Sequence, residues 1–195
     1  MKTSLRTTAT FSGLAALAAL TGCADVAPMK PMLAAPAFMQ DSLPAAVQVP
    51  AGHRVAMATA ASGEITYECR AKAAMAGEFE WVFVGPQAVL KNRMGQAVGT
   101  YYGPPATWAA MDGSKITGMQ VAVAPAGMGN IPMQLVKANP ALGGKDGMGA
   151  MYGISHIQRV ATRGGTAPAV SCTASNAGQK QLVSYQADYI FWKAV

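Results

Sequence analysis

Residues 182–193 read LVSYQADYIFWK. Val183, Tyr185, Ala187, Tyr189 and Phe191 recur there at every second position. A period of two places alternate side chains on opposite faces of an extended chain, so the stretch is a strand with one buried face. The same alternation recurs upstream. In 64–72 (EITYECRAK), Ile65, Tyr67 and Cys69 face one way and Thr66, Glu68 and Arg70 the other. Phe79, Trp81 and Phe83 alternate with Glu80, Val82 and Val84. Residues 115–124 (KITGMQVAVA) and 152–162 (YGISHIQRVAT) read as further strands. Gly85-Pro86, Gly103-Pro104-Pro105, Asp112-Gly113, Gly143-Gly144 and Gly164-Gly165 supply turn chemistry between them. No stretch after residue 46 carries a helical stripe. The pattern predicts an all-β domain, an antiparallel β-sandwich or barrel with long Gly/Pro-rich loops. Residues 127–149 read as a long insertion or loop around the short apolar run 131–138.

The N-terminus carries a different message. Lys2 and Arg6 precede the uncharged apolar run 11–20 (FSGLAALAAL), and Leu20-Thr21-Gly22-Cys23 follows. A basic start, a short apolar core and small residues before a cleavage point form a secretory signal. The run is too short for a spanning helix, which needs about 20 residues. The LTGC end resembles the bacterial lipobox, in which the cysteine thiol is acylated and becomes the new N-terminus. Residues 1–22 are thus expected to be a lipoprotein signal peptide and Cys23 a lipidation site. Several acyl chains give stable anchoring. Ala24 after the cysteine resembles an outer-membrane destination. The expected location is the cell envelope, facing the periplasm. Residues 24–46 hold four prolines and many alanines, so no helix survives there. Together, 23–46 read as a lipidated cysteine plus tether, and 47–195 as a single domain.

The mature chain has thirteen basic and nine acidic residues, a mild excess without a basic run or basic helix. Nucleic acid is not an expected partner. The expected partners are the membrane, through the lipid, and a small-molecule, glycan or envelope-protein ligand. Cys69 and Cys172 are the remaining cysteines. In an oxidising periplasm an even pair reads as a disulfide. They lie 103 positions apart, and closing a loop of that size contributes about 4–5 kcal/mol in the chain-entropy model. Free thiols or a metal pair are the alternatives.

Chemistry is sparse. His156 with Asp188 and Ser155 or Ser184 would be the ingredients of a hydrolase triad. No nucleophile elbow is present, and neighbouring side chains on a strand point apart. Glu64, Glu68, Glu78, Glu80, Asp112 and Asp188 are the carboxylates available for glycoside hydrolysis. No metal-ligand spacing and no cofactor motif occurs, so no metal and no cofactor is expected. Met29 and Met32 in the tether are the only hint of copper handling. The most suggestive cluster is Tyr101 and Tyr102, through Gly103-Pro104-Pro105 and Trp108, to Asp112. Aromatics beside turns can stack a sugar or peptide, or close a core. Arg159 and Arg163 are candidates for an anionic group. The candidate contact residues are Tyr101, Tyr102, Trp108, Asp112, His156 and Arg159, with no catalytic residue assigned.

Five segments resemble an exported bacterial and fungal family known as domain-of-unknown-function 3455. They are VPAGHRVAMATAASGEITYECRA (49–71), WVFVGPQAVL (81–90), VGTYYGPPATWAAMDGSKITG (98–118), ISHIQRVATRGGTAPAVSC (154–172) and VSYQADYIFWKA (183–194). The resemblance implies an all-β secreted domain and transfers no activity. His156 departs from the family pattern before IQRV. A malate dehydrogenase label attached to some fungal relatives finds no support, because no GxGxxG opens a strand-turn-helix unit. The expected function is a non-catalytic binding or structural module of the envelope. An envelope enzyme and a copper-handling protein are the alternatives.

Overall fold

The computed structural model describes residues 38–195. The signal, Cys23, Met29 and Met32 lie outside the described residues. Nine strands and three short 3-10 turns make up the regular structure: β1 His53–Ala71, β2 Phe79–Lys91, β3 Ala97–Tyr102, β4 Thr107–Ala110, β5 Ser114–Ala124, β6 Met133–Ala138, β7 Leu142–Gly143, β8 Ile154–Gly164 and β9 Lys180–Ala194. All pair antiparallel in one sheet, in the order β4-β3-β2-β1-β9-β8-β6-β5-β7. β4 also pairs with β5, so the sheet closes in a ring of eight strands with β7 as an appendage. The closing ladder is short: Thr107, Trp108 and Ala109 face Thr117, Ile116 and Lys115.

The alternation in β9 does what its period demands. Tyr185, Ala187, Tyr189 and Phe191 are buried inside the ring, with Val183 packed against them. Ile65 and Tyr67 of β1 join the same core, and Cys69 is fully buried on the same strand face. Tyr101 stacks on Trp108 with centroids 4.8 Å apart, and both touch Tyr189. The interior is therefore an aromatic cluster, closed where Trp108 meets Ile116 across the final ladder.

Three expectations change. The segment 127–149 is not an insertion. It contains β6, whose Val136 and Leu135 are buried on opposite sides of the sheet between β5 and β8. Glycine and proline on both flanks masked a six-residue strand. Gly85-Pro86 does not end a strand either. β2 runs through it with a bulge at Val84, since Tyr67 pairs with Phe83 and Thr66 with Gly85. A Cβ at Gly85 would overlap the carbonyl oxygen of Gly103, so glycine there permits the close approach of the β3–β4 turn. Phe83 is 52% exposed, because β3 pairs only with residues 87–91 of β2 and leaves the first half without a second neighbour.

A second core lies outside the ring. Residues 38–50 form a strap whose Val47 and Val49 are buried against Ala124, Leu135, Val160, Ile190 and Trp192, with Phe38 and Leu43 packed alongside. The last nine residues of the stretch read as tether thus belong to the folded domain. This explains why residues 190–192 of β9 are buried on both faces. Buried Gln158 locks the strap down. Its Nε2 donates to the Val47 carbonyl (2.7 Å) and to Gln40 Oε1 (3.0 Å), and its Oε1 accepts from Trp192 Nε1 (2.8 Å). Gln40 in turn exchanges two hydrogen bonds with the Val49 backbone.

Cys69 and Cys172 form the disulfide, with Cα atoms 5.5 Å apart. It ties β1 to the loop before β9.

Replacing Gln158 by Leu keeps most of the volume and orphans the Trp192 indole N–H and the Val47 carbonyl. Such a loss costs about 2–4 kcal/mol. Urea unfolding should show that drop, and limited proteolysis should cut within 38–50 first.

Candidate functional site

An open cleft of about 850 Å³ crosses five strands. Its polar lining comes from positions that alternate with the core residues and so face outward. In one row Arg163 of β8 pairs with Gln186 of β9, Gln186 with Ser62 of β1, Ser62 with Val89 of β2, and Val89 with Thr100 of β3. In the next row Ser184, Glu64, Gln87 and Tyr102 follow one another across β9, β1, β2 and β3. Gly63 sits between the rows on β1. A Cβ there would overlap the Gln87 carbonyl oxygen and lie 2.7 Å from Ala88 Cβ. Glycine lets β1 and β2 approach at the point where the cleft forms.

A smaller pocket continues the cleft past Ser62, Gln186 and Arg163 to Lys91, Ala161 and Asp188. Arg163 reaches the outer face because β8 bulges. Val160 pairs with Asp188 and Arg163 with Gln186, so Ala161 and Thr162 together oppose Ala187. Ala161 occupies the left-handed region at φ 50°, a strained conformation for a side chain with a Cβ. Thr162 turns inward and donates to the Ile131 carbonyl at 2.6 Å. Burial pushes the Asp188 carboxyl above the ordinary aspartate value, and nearby Arg163 opposes that rise. Beneath the cleft floor the Tyr185 phenol is pushed up to about 12 by burial, so it stays protonated. Its hydroxyl interacts with that of Tyr189 in the core, and among the described residues Trp108 Nε1 is buried without a hydrogen-bond partner.

The six candidates from sequence do not converge. Tyr101 and Trp108 pack in the core and face each other in the β3–β4 ladder. Tyr102, on the opposite face of β3, is 42% exposed and lines the cleft. Asp112 accepts from Ser114 N (2.8 Å), Ser114 Oγ (2.6 Å) and Ala150 N (2.7 Å), which holds its carboxyl below the usual range and pins the β4–β5 turn to the 149–151 loop. Arg159 donates twice to the Pro132 carbonyl.

His156 meets the other histidine of the chain, His53, with ring centroids 4.8 Å apart. Ser155 lies at a bulge, and its Oγ is 3.2 Å from His156 Nδ1 although the two are adjacent in sequence. The rule that neighbours on a strand point apart fails at that bulge. Ser155 Oγ donates to the Trp192 carbonyl, so it accepts from His156 and is not poised to lose a proton to it. Asp188 lies four residues along β9 from Trp192, the partner of His156; that is about 13 Å at strand rise. No triad assembles. Among the described residues no cluster of three or more His, Cys, Asp or Glu side chains forms a metal-binding group.

A family model described as Protein of unknown function (DUF3455) matches residues 50–193. The chain belongs to that family. No curated protein and no solved structure matches it. The DUF3455 match runs from just before β1 to the penultimate residue of β9, covers every residue of the cleft, and begins after most of the strap.

Nothing in their residue types marks Ser62, Gln87, Thr100 and Gln186 as cleft residues. Each occupies the polar phase of an alternating run. Only the cross-strand register, which joins positions up to 124 residues apart, brings them together.

Two titrating groups make opposite predictions. Burial, His53 and Lys137 lower the His156 pKa in the folded state. The unfolded chain then binds more protons, so stability falls as pH drops below the ordinary histidine value. Asp188 has a raised folded value, so its contribution is full below the ordinary aspartate value and is lost as pH rises through the folded one. Asp188→Asn should raise the unfolding midpoint at pH 7 but not at pH 3. His156→Asn should flatten the midpoint profile between pH 5 and 7. Melting curves across pH check both.

Proposed function

We propose that this chain is a lipid-anchored envelope module that binds a neutral, hydroxyl-rich ligand of the saccharide class in the cleft, without covalent chemistry. The observation that carries the ligand class is the double row of outward side chains. Two carboxamides, Gln87 and Gln186, one carboxylate, Glu64, and one guanidinium, Arg163, are interspersed with the hydroxyls of Ser62, Thr100 and Ser184. Planar polar groups of mixed donor and acceptor character suit vicinal hydroxyls. Tyr102 offers an exposed ring on which the C–H face of a sugar can stack. One positive and one negative side chain leave the lining near neutrality, which disfavours a strongly ionic ligand.

Glycoside hydrolysis is the rival chemistry, because a raised carboxyl beside a cleft is a feature of such enzymes. Glu64 pairs with Ser184 and Asp188 lies four residues further along β9, about 13 Å away at strand rise. Paired carboxylates in such enzymes stand about 5–9.5 Å apart. Binding is the better reading.

The anchor and the location rest on residues 1–24. The leader and the LTGC sequence support export and lipidation at Cys23, and a formed disulfide suits an oxidising compartment.

Calorimetry with neutral oligosaccharides, a glucose series and an N-acetylglucosamine series, tests the ligand class. Tyr102→Ala and Gln87→Ala should each weaken binding about tenfold, or roughly 1.4 kcal/mol, with unchanged melting temperature. Absence of saccharide binding by the unmodified protein would overturn the class. For the anchor, Cys23→Ala should abolish acylation and membrane retention together. Retention of that variant in the membrane fraction would count against lipidation.

A further inference from the structure

From Ile116 to Val136 the chain carries no charged residue, a run of 21 positions between Lys115 and Lys137. Much of that run is on the surface. Met119 is 64%, Val121 57%, Val123 45% and Met128 fully exposed. Between the end of β5 and the start of β6, Val123, Pro125, Ala126, Met128 and Pro132 line an apolar groove of about 570 Å³. Residues 118–124 of β5 pair with β6 on one side only, because the β4 ladder stops at Thr117.

We propose that this β5–β6 tip docks on the anionic phospholipid surface of the membrane that holds the anchor. The inference rests on the lipidation of Cys23. The two stems of the tip, Ala124 and Met133, belong to the same outer cluster as Phe38, the first described residue of the strap. The described chain thus begins in the outer cluster that also holds the stems of the tip. Fifteen positions separate Phe38 from Cys23, a reach of at most about 50 Å when extended. That length lets the tip touch the bilayer.

Methionine, valine and proline without an acidic neighbour suit insertion at headgroup depth. The Arg159 guanidinium rests on the Pro132 carbonyl and so places one cation at the tip. Strand addition by a second copy is the rival occupant. The bulge between Gln120 and Ala122 breaks the regular edge such pairing needs. In the ring β5 stands four strands from β1 in either direction.

Single nitroxide labels at Met128→Cys and at Thr100→Cys, on the full lipidated chain in phosphatidylethanolamine/phosphatidylglycerol vesicles, test this. The Met128 label should show oxygen accessibility of the lipid phase, and the Thr100 label that of water. Equal aqueous accessibility at both sites would overturn docking. Strong dipolar coupling between Met128 labels would identify a second copy as the occupant and overturn it as well. The mass of the N-terminal peptide reports acylation separately. If Cys23 proves unmodified, flotation of the same chain with phosphatidylglycerol vesicles judges docking alone: Val123→Asp with Met128→Asp should cut the bound fraction at least fivefold, and no change would sink the proposal.

Discussion

The β1–β9 ladder is the constraint on which the other features depend. It pairs the first and last strands of the domain from His53 and Ala194 to Glu68 and Lys180. The cleft, the strap and the disulfide all sit on it. The strap covers its outer face around Ile190 and Trp192. The cleft opens further along, where Ser62 and Glu64 lie beside Gln186 and Ser184. The disulfide clamps its far end, where Cys69 N donates to the Gln179 carbonyl and Gly178 N to the Cys69 carbonyl. Backbone hydrogen bonds with buried side chains beneath them make this ladder a stiff floor. A binding surface built from outward side chains needs such a floor, because its geometry is only as fixed as the strands below.

The fold was legible where one face of a strand is buried and the other wet. Residues 183–191 and 65–69 announce themselves by alternation, and the turn residues announce most of the connections. Legibility failed where both faces are covered or neither is. β6 buries Leu135 outward and Val136 inward, so its pattern is a short apolar run that reads equally as loop. The N-terminal half of β1 (HRVAMATAA) alternates weakly because alanine and threonine serve both faces. Phe38 and Leu43 looked like spacer because four prolines surround them, yet with Val47, Val49 and Gln40 they hold the strap down.

The candidate site was less legible than the fold, for a physical reason. Tyr101 and Tyr102 are adjacent in a suggestive cluster, but a strand sends one into the core and the other into the cleft. Aromatic composition does not say which. The polar partners of Tyr102 come from β1, β2, β8 and β9, and only cross-strand pairing relates them. Bulges compound the difficulty. One at Ala161 brings Arg163 to the outer face, and one at Ser155 lets adjacent side chains bond. Neither is written in residue type, since an alanine at φ 50° looks like any other alanine until the backbone is seen.

Pairing the first strand with the last also governs the order of assembly. As the chain is threaded out from its N-terminus, β1 must wait for more than a hundred residues before its partner exists. Until then its 53–59 half has no strand neighbour on either side, and only 60–71 can be matched, by β2. Contacts of such sequence separation make folding slow and leave apolar strands uncovered meanwhile. The ring is therefore an all-or-none object. A chain cut short before Lys180 would lose the central strand between β1 and β8, and with it the floor of the cleft and the seat of the strap. Completeness of the C-terminus is in effect proofread by the fold itself.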